Sequence, residues 1–443
     1  MMPTEHSAAK IPCPVAILGA GLTGLSAALE LGRRGIEYRI FEKLAEPGGH
    51  AVTIEEQGFR FDRTGHLLHL KNDALRAEVL EWIGPDYLEI QRRSVVWSNG
   101  VYTRYPFQAN TFGLPPQVAY DCVQGFLKAH FAKDKPQPTN FEEFCLQHFG
   151  DGISRHFMIP YNSRLWGVHP REITSDWCQR FVPLPRLEDV IAGAVGLNDR
   201  ELGYNANFIY PRLGIGQLAQ SMARRVPTLE LGKSPLRIDL GRRRLLFEHE
   251  EVPFDVLVSS IPLPRLLELI DEVPDPIRQA ASKLRCSHLH YLDVALTRPS
   301  GKDFHWAYVP EEKYPFYRVG CYSHFSPALA PPGKSSLYVE LADRSPPNLE
   351  RLLPQVEKGL IEMGVIDRAD EIEFARARRI DYAYVIFDHE YFAALDAIRP
   401  FLDASRIISS GRYGEWNYSA MEDALLFGKA AAERALEFQR SPA

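Results

Sequence analysis

One segment constrains this chain more than any other: VAILGAGLTGLSAALELGRRGIEYRIFE, from Val15 to Glu42. An apolar run, Val15 to Leu18, leads straight into Gly19, Gly21 and Gly24. A small-residue helix and a second apolar strand, Tyr38 to Phe41, follow, and Glu42 closes the unit. Strand, glycine turn, helix, strand and acid in this order describe a dinucleotide-binding βαβ unit. Gly19 serves the tight turn, Gly21 the approach of a pyrophosphate, and Gly24 close helix–strand packing. The helix start, at Leu22 and Thr23, offers free N–H groups and a positive dipole end to phosphates. A carboxylate at Glu42, with Lys43 beside it, suits ribose hydroxyls and disfavours a 2′-phosphate.

Composition narrows the class. With 443 residues the chain can hold two domains with ample core. Charged residues at 24% and hydrophobic ones at 45% are ordinary for a soluble globular protein. A net charge of -6 gives no basic footprint for nucleic acid, although a single cleft can still be basic. The six cysteines (Cys13, Cys122, Cys145, Cys178, Cys286, Cys321) contain no C-x-x-C. Neither a disulfide framework nor a metal site is therefore expected, and free thiols fit a cytoplasmic location. The opening MMPTEHSAAK lacks the apolar region of a signal peptide. No run approaches the ~18 apolar residues of a membrane span.

The organisation is expected to be discontinuous. Residues 11–75, 205–265 and 380–443 are read as one cofactor domain. In it, Gly214–Ile215–Gly216 reads as a loop feeding a helix, LRIDLGRRRLLFEHE as a hairpin around Gly241, and Val256–Val258 as a buried returning strand. Near the end, Arg406–Ser409 reads as a strand, Gly411–Tyr418 as a loop and Met421–Phe438 as a closing helix. Residues 76–204 read as mostly helical, with proline-rich joints. Residues 266–379, with LHYLDVAL and SSLYVEL, read as a substrate domain built on a second sheet. The cleft between the domains is the default ligand site. The stretch from Gly196 to Gly203 is a candidate for a mobile loop closing it.

The continuation past Glu42 separates FAD from NAD. Gly48–Gly49, a hairpin from Ala51 to Phe61 and then Asp62 resemble the large FAD-binding proteins of the glutathione-reductase type. The resemblance implies an α/β fold: a Rossmann-like FAD-binding domain with an inserted helical region and a second, sheet-containing substrate domain. Gly49 and His50 would then lie beside the cofactor.

Five further segments, in order, resemble the UDP-galactopyranose mutases, in their eukaryotic form more than their bacterial one. They are FDRTGHLLHL (Phe61–Leu70, with Thr64 at a glycine position), YPFQAN (Tyr105–Asn110), FMIPYNSRLWGVHP (Phe157–Pro170), WAYVPEEKYPFYRVGCYSHFSP (Trp306–Pro327) and GRYGEWNYSAMED (Gly411–Asp423). Trp177 followed by Arg180 matches the family's W…R. The resemblance implies Gly65 and His66 against the flavin, with Gly411, Arg412, Tyr418 and Met421 in the last flavin loop. It implies Phe157 stacked on a uracil and Asn162 hydrogen-bonded to it, with Tyr105, Trp166 and Tyr317 lining the substrate site. Arg180 and Arg318 would clamp the pyrophosphate, joined by hydroxyls of Tyr308, Tyr384 and Tyr418. Glu422 stands where Asn or Asp is usual, so its contact with the sugar is the point of departure.

The residue chemistry agrees with a diphosphate ligand. Guanidinium forks satisfy paired phosphate oxygens and stay charged at any working pH, and tyrosines add neutral donors. Arg318 lies in an aromatic and apolar run, Tyr314–Tyr322, where an unpaired charge would be costly to bury. The expected activity is interconversion of pyranose and furanose forms of a UDP-sugar through N5 of reduced FAD. No second G-x-G-x-x-G is present for a nicotinamide, so the electron donor stays open, as does homo-oligomerisation. The competing expectations are an oxidase of the amine-oxidase or protoporphyrinogen-oxidase type, and a flavoprotein retained for binding.

Overall fold

The structure is a computed structural model that describes residues 14–178, 182–197 and 206–440. Five parallel strands form the first sheet, in the order Ile407–Ser409, Val256–Ser259, Val15–Leu18, Tyr38–Phe41, Leu229–Glu230. The two central strands, Val15–Leu18 and Val256–Ser259, are buried at every residue, as continuous apolar runs require when both faces are covered. Helix Leu22–Arg33 makes the crossover to Tyr38–Phe41. The last helix, Met421–Arg440, lies against it with backbones nearly touching. A Cβ on Gly428 would stand 2.3 Å from the Thr23 carbonyl oxygen, and Ser26 Oγ donates to Leu425 O at 2.7 Å. The expected hairpin around Gly241 has a third strand: Arg237–Asp239, Arg244–Leu246 and Glu251–Pro253 form an antiparallel meander.

A second sheet has seven strands, in the order Ile372–Ile386, Arg285–Leu296, Ser335–Leu341, Phe316–Cys321, Trp306–Tyr308, Ser94–Ser98, Val101–Arg104. It is antiparallel except where Trp306–Tyr308 runs parallel to Ser94–Ser98. Two of its strands thus come from 76–204, the stretch read as mostly helical. A further strand from that stretch, Tyr87–Gln91, pairs with Asn207–Pro211. Strand Ile372–Ile386 crosses the expected join at 379/380.

The helices of 76–204 include Pro116–Phe131 and Phe141–Ile153, which approach closely at glycines: a Cβ on Gly152 would lie 2.0 Å from Asp121 O. The second of them runs on through a π-helical turn, Ser154–Met158, into helix Ile159–Trp166. Such turns re-aim side chains and recur at functional sites; this one carries Phe157. One buried cluster joins residues of both sheets and these helices, from Leu18 and Leu257 to Phe126 and Tyr317. The surfaces that face the cleft are therefore backed by shared packing.

Candidate active site

The glycine turn is built as the sequence implies. Gly19 has φ +93°, which glycine alone adopts without strain. A Cβ on Gly24 would lie 1.9 Å from Gly19 O, so no side chain fits between helix and turn. At Gly21 the nearest atom to such a Cβ is Gly49 Cα, 4.0 Å away, and the space is open. Gly48 N donates to Ala20 O at 2.8 Å, which locks the Gly48–Gly49 loop onto the turn. Glu42 is buried, and its carboxylate accepts from Ala20 N (2.8 Å) and Leu44 N (3.0 Å). Each oxygen keeps a second lone pair for a ribose hydroxyl. Gly411 closes the other side: a Cβ there would meet Thr23 Oγ1 at 2.5 Å. Leu22 and Thr23 are buried in the helix start, Met421 opens the last helix, and Lys43 is exposed at the rim. The open cradle at Gly21, between a carboxylate and a helix N-terminus, fits a dinucleotide.

The turn carrying Gly65 and His66 is held from below by Asp62. Its carboxylate accepts from Thr53 Oγ1 (2.6 Å), from Ile215 N (3.2 Å) and from the Tyr210 hydroxyl. Its carbonyl accepts from Tyr322 Oη at 2.5 Å, and Tyr322 Oη in turn receives Thr64 N–H at 3.1 Å. Thr64 sits at φ +63°, a left-handed conformation that explains why glycine is usual there in the resembling family. Burial with no cation pushes the Asp62 carboxyl up to about 7, against the pull of its Thr53 and Tyr210 donors. The folded state then holds a proton that the unfolded state releases near pH 4, so this group's contribution falls as pH rises from about 4 to about 7. Asp62→Asn is expected to gain on the parent by up to ~1.4 kcal/mol per pH unit in that window, read from denaturation at each pH. Asp293, also raised to about 7 by burial against its Arg378 partner, adds a slope of the same sign, while the buried, depressed His50 and His66 add one of opposite sign, so the comparison is of the variant with the parent at each pH.

His50 and His66 approach the same region. Burial, first of all, pushes His50 down to about 3 and His66 down to about 4; His66 and Arg412 add to the one, Arg412 and Arg318 to the other. Both imidazoles are neutral at working pH, and each leaves Nδ1 buried with no partner among the described residues. His50 meets the Tyr413 ring edge-on at 5.4 Å. Arg412 donates to Ser419 O (2.6 Å) and Ala383 O (3.1 Å) and lies over Tyr418 at 4.7 Å and Tyr384 at 6.0 Å.

Arg318 enters from the second sheet. Its strand register pairs it with Tyr308 on one side and Glu340 on the other. Nη2 donates to Glu340 Oε1 at 2.5 Å and to Tyr384 Oη at 3.2 Å. Burial, the largest single influence, opposes its charge, but the Glu340 carboxylate together with the surrounding tyrosine hydroxyls outweighs it and holds the guanidinium well above its usual range. Tyr384 is thus flanked by two guanidinium groups, Arg318 at its hydroxyl and Arg412 at its ring. Trp166 packs on Tyr384 (5.5 Å) and Tyr418 (5.9 Å); Tyr308 packs on Tyr105 (4.8 Å) and Tyr161 (5.2 Å). Arg92 lies over Tyr105 at 5.3 Å, a cationic neighbour the sequence reading did not single out.

Three expectations change. Glu422 is engaged by main chain: its Oε1 accepts from Lys71 N (2.6 Å) and Asn72 N (2.7 Å), anchoring the start of helix Asp73–Ile83. The extra methylene carries the carboxylate to that backbone. Phe157 stacks on Phe107 (5.0 Å, 14°) and on Tyr161 (5.3 Å, 5°), so a base would have to displace a ring to stack there. Tyr317 is fully buried, and its hydroxyl has no partner among the described residues, so it is not on an open surface. Asn162 lies on helix Ile159–Trp166, its Nδ2 donating to Met158 O at 2.7 Å. Arg180, expected as half of the clamp, lies outside the described residues, as does most of the Gly196–Gly203 loop. The sequence reading missed Glu340, although a lone acid in the apolar strand SSLYVEL is the usual signal of a buried partner.

Comparison with known proteins places this geometry. The family model for flavin containing amine oxidoreductase matches residues 22–436. The structure of reduced UDP-galactopyranose mutase superposes with a TM-score of 0.90 at 28% identity, covering 97% of this chain and 96% of that one. Putrescine oxidase bound to putrescine superposes with a TM-score of 0.69 at 15% identity over 96% and 99%, a likeness of fold alone. Among curated proteins, the 1-hydroxycarotenoid 3,4-desaturase of Flavobacterium sp. (strain P99-3) is 28% identical over 136 residues, 30% of this chain and 28% of its own. A 4,4'-diapophytoene desaturase of Staphylococcus aureus (strain bovine RF122 / ET3-1) is 33% identical over 86 residues, 19% of this chain and 17% of its own. The chain therefore spans less than a third of the length of the curated relatives it matches. No helix among the described residues is long and apolar enough to cross a membrane.

Proposed function

Because the chain belongs to the family of flavin-containing amine oxidoreductases, we propose that its flavin is FAD and that it interconverts pyranose and furanose forms of a nucleotide sugar, a UDP-hexose. The observation that carries this reading is the pair of guanidinium groups about Tyr384, Arg318 Nη2 at 3.2 Å from its hydroxyl and Arg412 Cζ at 6.0 Å from its ring. An oxidase acting on an apolar substrate has no use for two half-buried cations among tyrosine rings. A diphosphate does, since it presents paired oxygens to planar forks. The likeness to reduced UDP-galactopyranose mutase supports the same reading.

When bound in reduced form, the flavin supplies the nucleophile toward the anomeric carbon. The protein's part is to bind and hold. Arg318 and Arg412 neutralise the diphosphate while it is detached from the sugar. Burial raises the Tyr308 and Tyr384 hydroxyls, so both remain protonated donors. A neutral His66 can hydrogen-bond without adding charge. Trp166, Tyr161 and Tyr308 exclude water from the detached sugar. Arg180 joins this grip in the proposal on the strength of its motif.

The purified protein is expected to convert UDP-galactofuranose to the pyranose only after dithionite reduction, followed by chromatography of the nucleotide sugars. The curated desaturases and the family model favour a second reading, oxidation of an apolar or amine substrate. Peroxide or desaturated product with no sugar isomerisation in either redox state would replace the first reading with that one.

A further inference from the structure

Two arginines outside the proposed grip, Arg164 buried and Arg344 half-buried, bond almost wholly to main-chain carbonyls, and each ties helix Ile159–Trp166 to a different connection of the second sheet. Arg164, on helix Ile159–Trp166, donates Nη1 to Val309 O (3.0 Å) and Glu311 O (2.5 Å), and Nη2 to Tyr314 O (2.5 Å) and Phe316 O (2.9 Å). Three of these carbonyls belong to the loop between strands Trp306–Tyr308 and Phe316–Cys321, which carry Tyr308 and Arg318, and the fourth is that of Phe316, the first residue of the second strand. Arg344 follows strand Ser335–Leu341, which carries Glu340. It reaches back to the same helix, Nη2 donating to Arg164 O (2.6 Å) and Leu165 O (2.7 Å). Its guanidinium lies over Tyr317 at 5.9 Å, and its charge is offset by the negative end of that helix. Gly167 completes the fit: φ is +72°, and a Cβ there would stand 2.7 Å from Arg344 Nε.

We propose that Arg164 and Arg344 are positioning residues that set the distance between the helix wall of the cleft (Tyr161, Asn162, Trp166) and the strand wall (Tyr308, Arg318, Glu340). The inference rests on the reading of this cleft as the nucleotide-sugar site. Burial pushes Arg164 down to about 10, so it is still charged at neutral pH and can hold four carbonyls at once. A lysine, a compact charge with three donors on a flexible stem, cannot reproduce either fork. The turn that faces the flavin, from Asp62 to His66, belongs to neither wall. Loss of the staple should therefore weaken ligand binding and spare the chemical step.

The test uses the FAD-loaded full chain. Arg344→Lys is expected to raise the KM for UDP-galactofuranose and the Kd for UDP, titrated by flavin fluorescence, by ~10-fold, with kcat within ~2-fold and the flavin spectrum unchanged. Gly167→Ala, a milder change should the first variant fold poorly, should shift both constants in the same direction. The double variant should show less than the product of the two effects, because both act through one guanidinium. Unchanged KM and Kd in either folded, flavin-loaded variant overturns the staple and leaves the nucleotide-sugar reading intact, as do multiplicative effects. A parent protein whose flavin does not respond to UDP overturns that reading, and the staple's role in substrate binding with it.

Discussion

Gly24→Ala is expected to destabilise the apoprotein by more than ~3 kcal/mol, whereas Gly21→Ala in the same motif should leave the apoprotein folded and abolish cofactor retention. The two substitutions are chemically identical, and the structure separates them by what the new methyl meets. At position 24 it meets Gly19 O at 1.9 Å and Ser260 Oγ at 3.2 Å. The backbone contact cannot yield, because Gly19 is fixed by its donation to Phe41 O at 2.8 Å, and the Ser260 hydroxyl is itself bonded to Leu18 O and Gly19 O at 3.1 Å. Helix Leu22–Arg33 would have to lift from the sheet, and helix Met421–Arg440 with it, since Gly428 rests on Thr23 O. Inserting a methyl into packed structure costs ~1–3 kcal/mol where side chains can move, and more where backbone is struck. At position 21 the methyl enters open space, and φ of -71° suits alanine. That space is where a pyrophosphate would lie, so the loss falls on the ligand. Urea denaturation of both apoproteins and flavin content after gel filtration check the pair. A Gly21→Ala protein that retains FAD as the parent does would mean that the cofactor does not cross this turn.

This contrast also shows why the first βαβ unit was legible from the sequence. Each residue in it answers to a neighbour within the same short segment, so composition and spacing suffice. The hairpin Ser94–Arg104 carried a comparable local signal: Asn99 and Gly100 both have positive φ (53° and 76°), the turn chemistry that Asn–Gly provides. It was read as part of a helical stretch because its sheet partner, Trp306–Tyr308, is far along the chain. In the candidate site, Tyr308, Arg318, Tyr384 and Arg412 stand out in the sequence as residues, and the structure brings them together, but their partners were not legible. Nothing near Glu422 in the sequence points to the backbone of Lys71 and Asn72. Phe157 reads equally well as a stacking platform or as core, and only the positions of Phe107 and Tyr161 decide. Arg164 and Arg344 carried no signal at all, because main-chain carbonyls have no letter in a sequence.

Arg318→Met alone is expected to cost ~3–5 kcal/mol of stability, and Arg318→Met with Glu340→Leu to recover most of it while UDP binding stays lost. Glu340 is fully buried, with Oε1 on Arg318 and Oε2 without a partner among the described residues. Removing the guanidinium leaves a carboxylate in an apolar sheet, the situation in which breaking a buried pair is most costly. Replacing both members by apolar side chains of similar volume removes the desolvation penalty along with the attraction, which is often neutral for stability. If Arg318 were there only to satisfy Glu340, the double variant would behave as the parent in every respect. If it grips a diphosphate, the double variant folds, keeps its flavin and fails to bind UDP. Stability and ligand affinity thus part company in one protein, and neither single substitution can show this. A denaturation curve and a UDP titration on the same preparation decide it: a stable double variant that binds UDP as tightly as the parent would exclude Arg318 from the diphosphate grip and leave it a structural partner of Glu340.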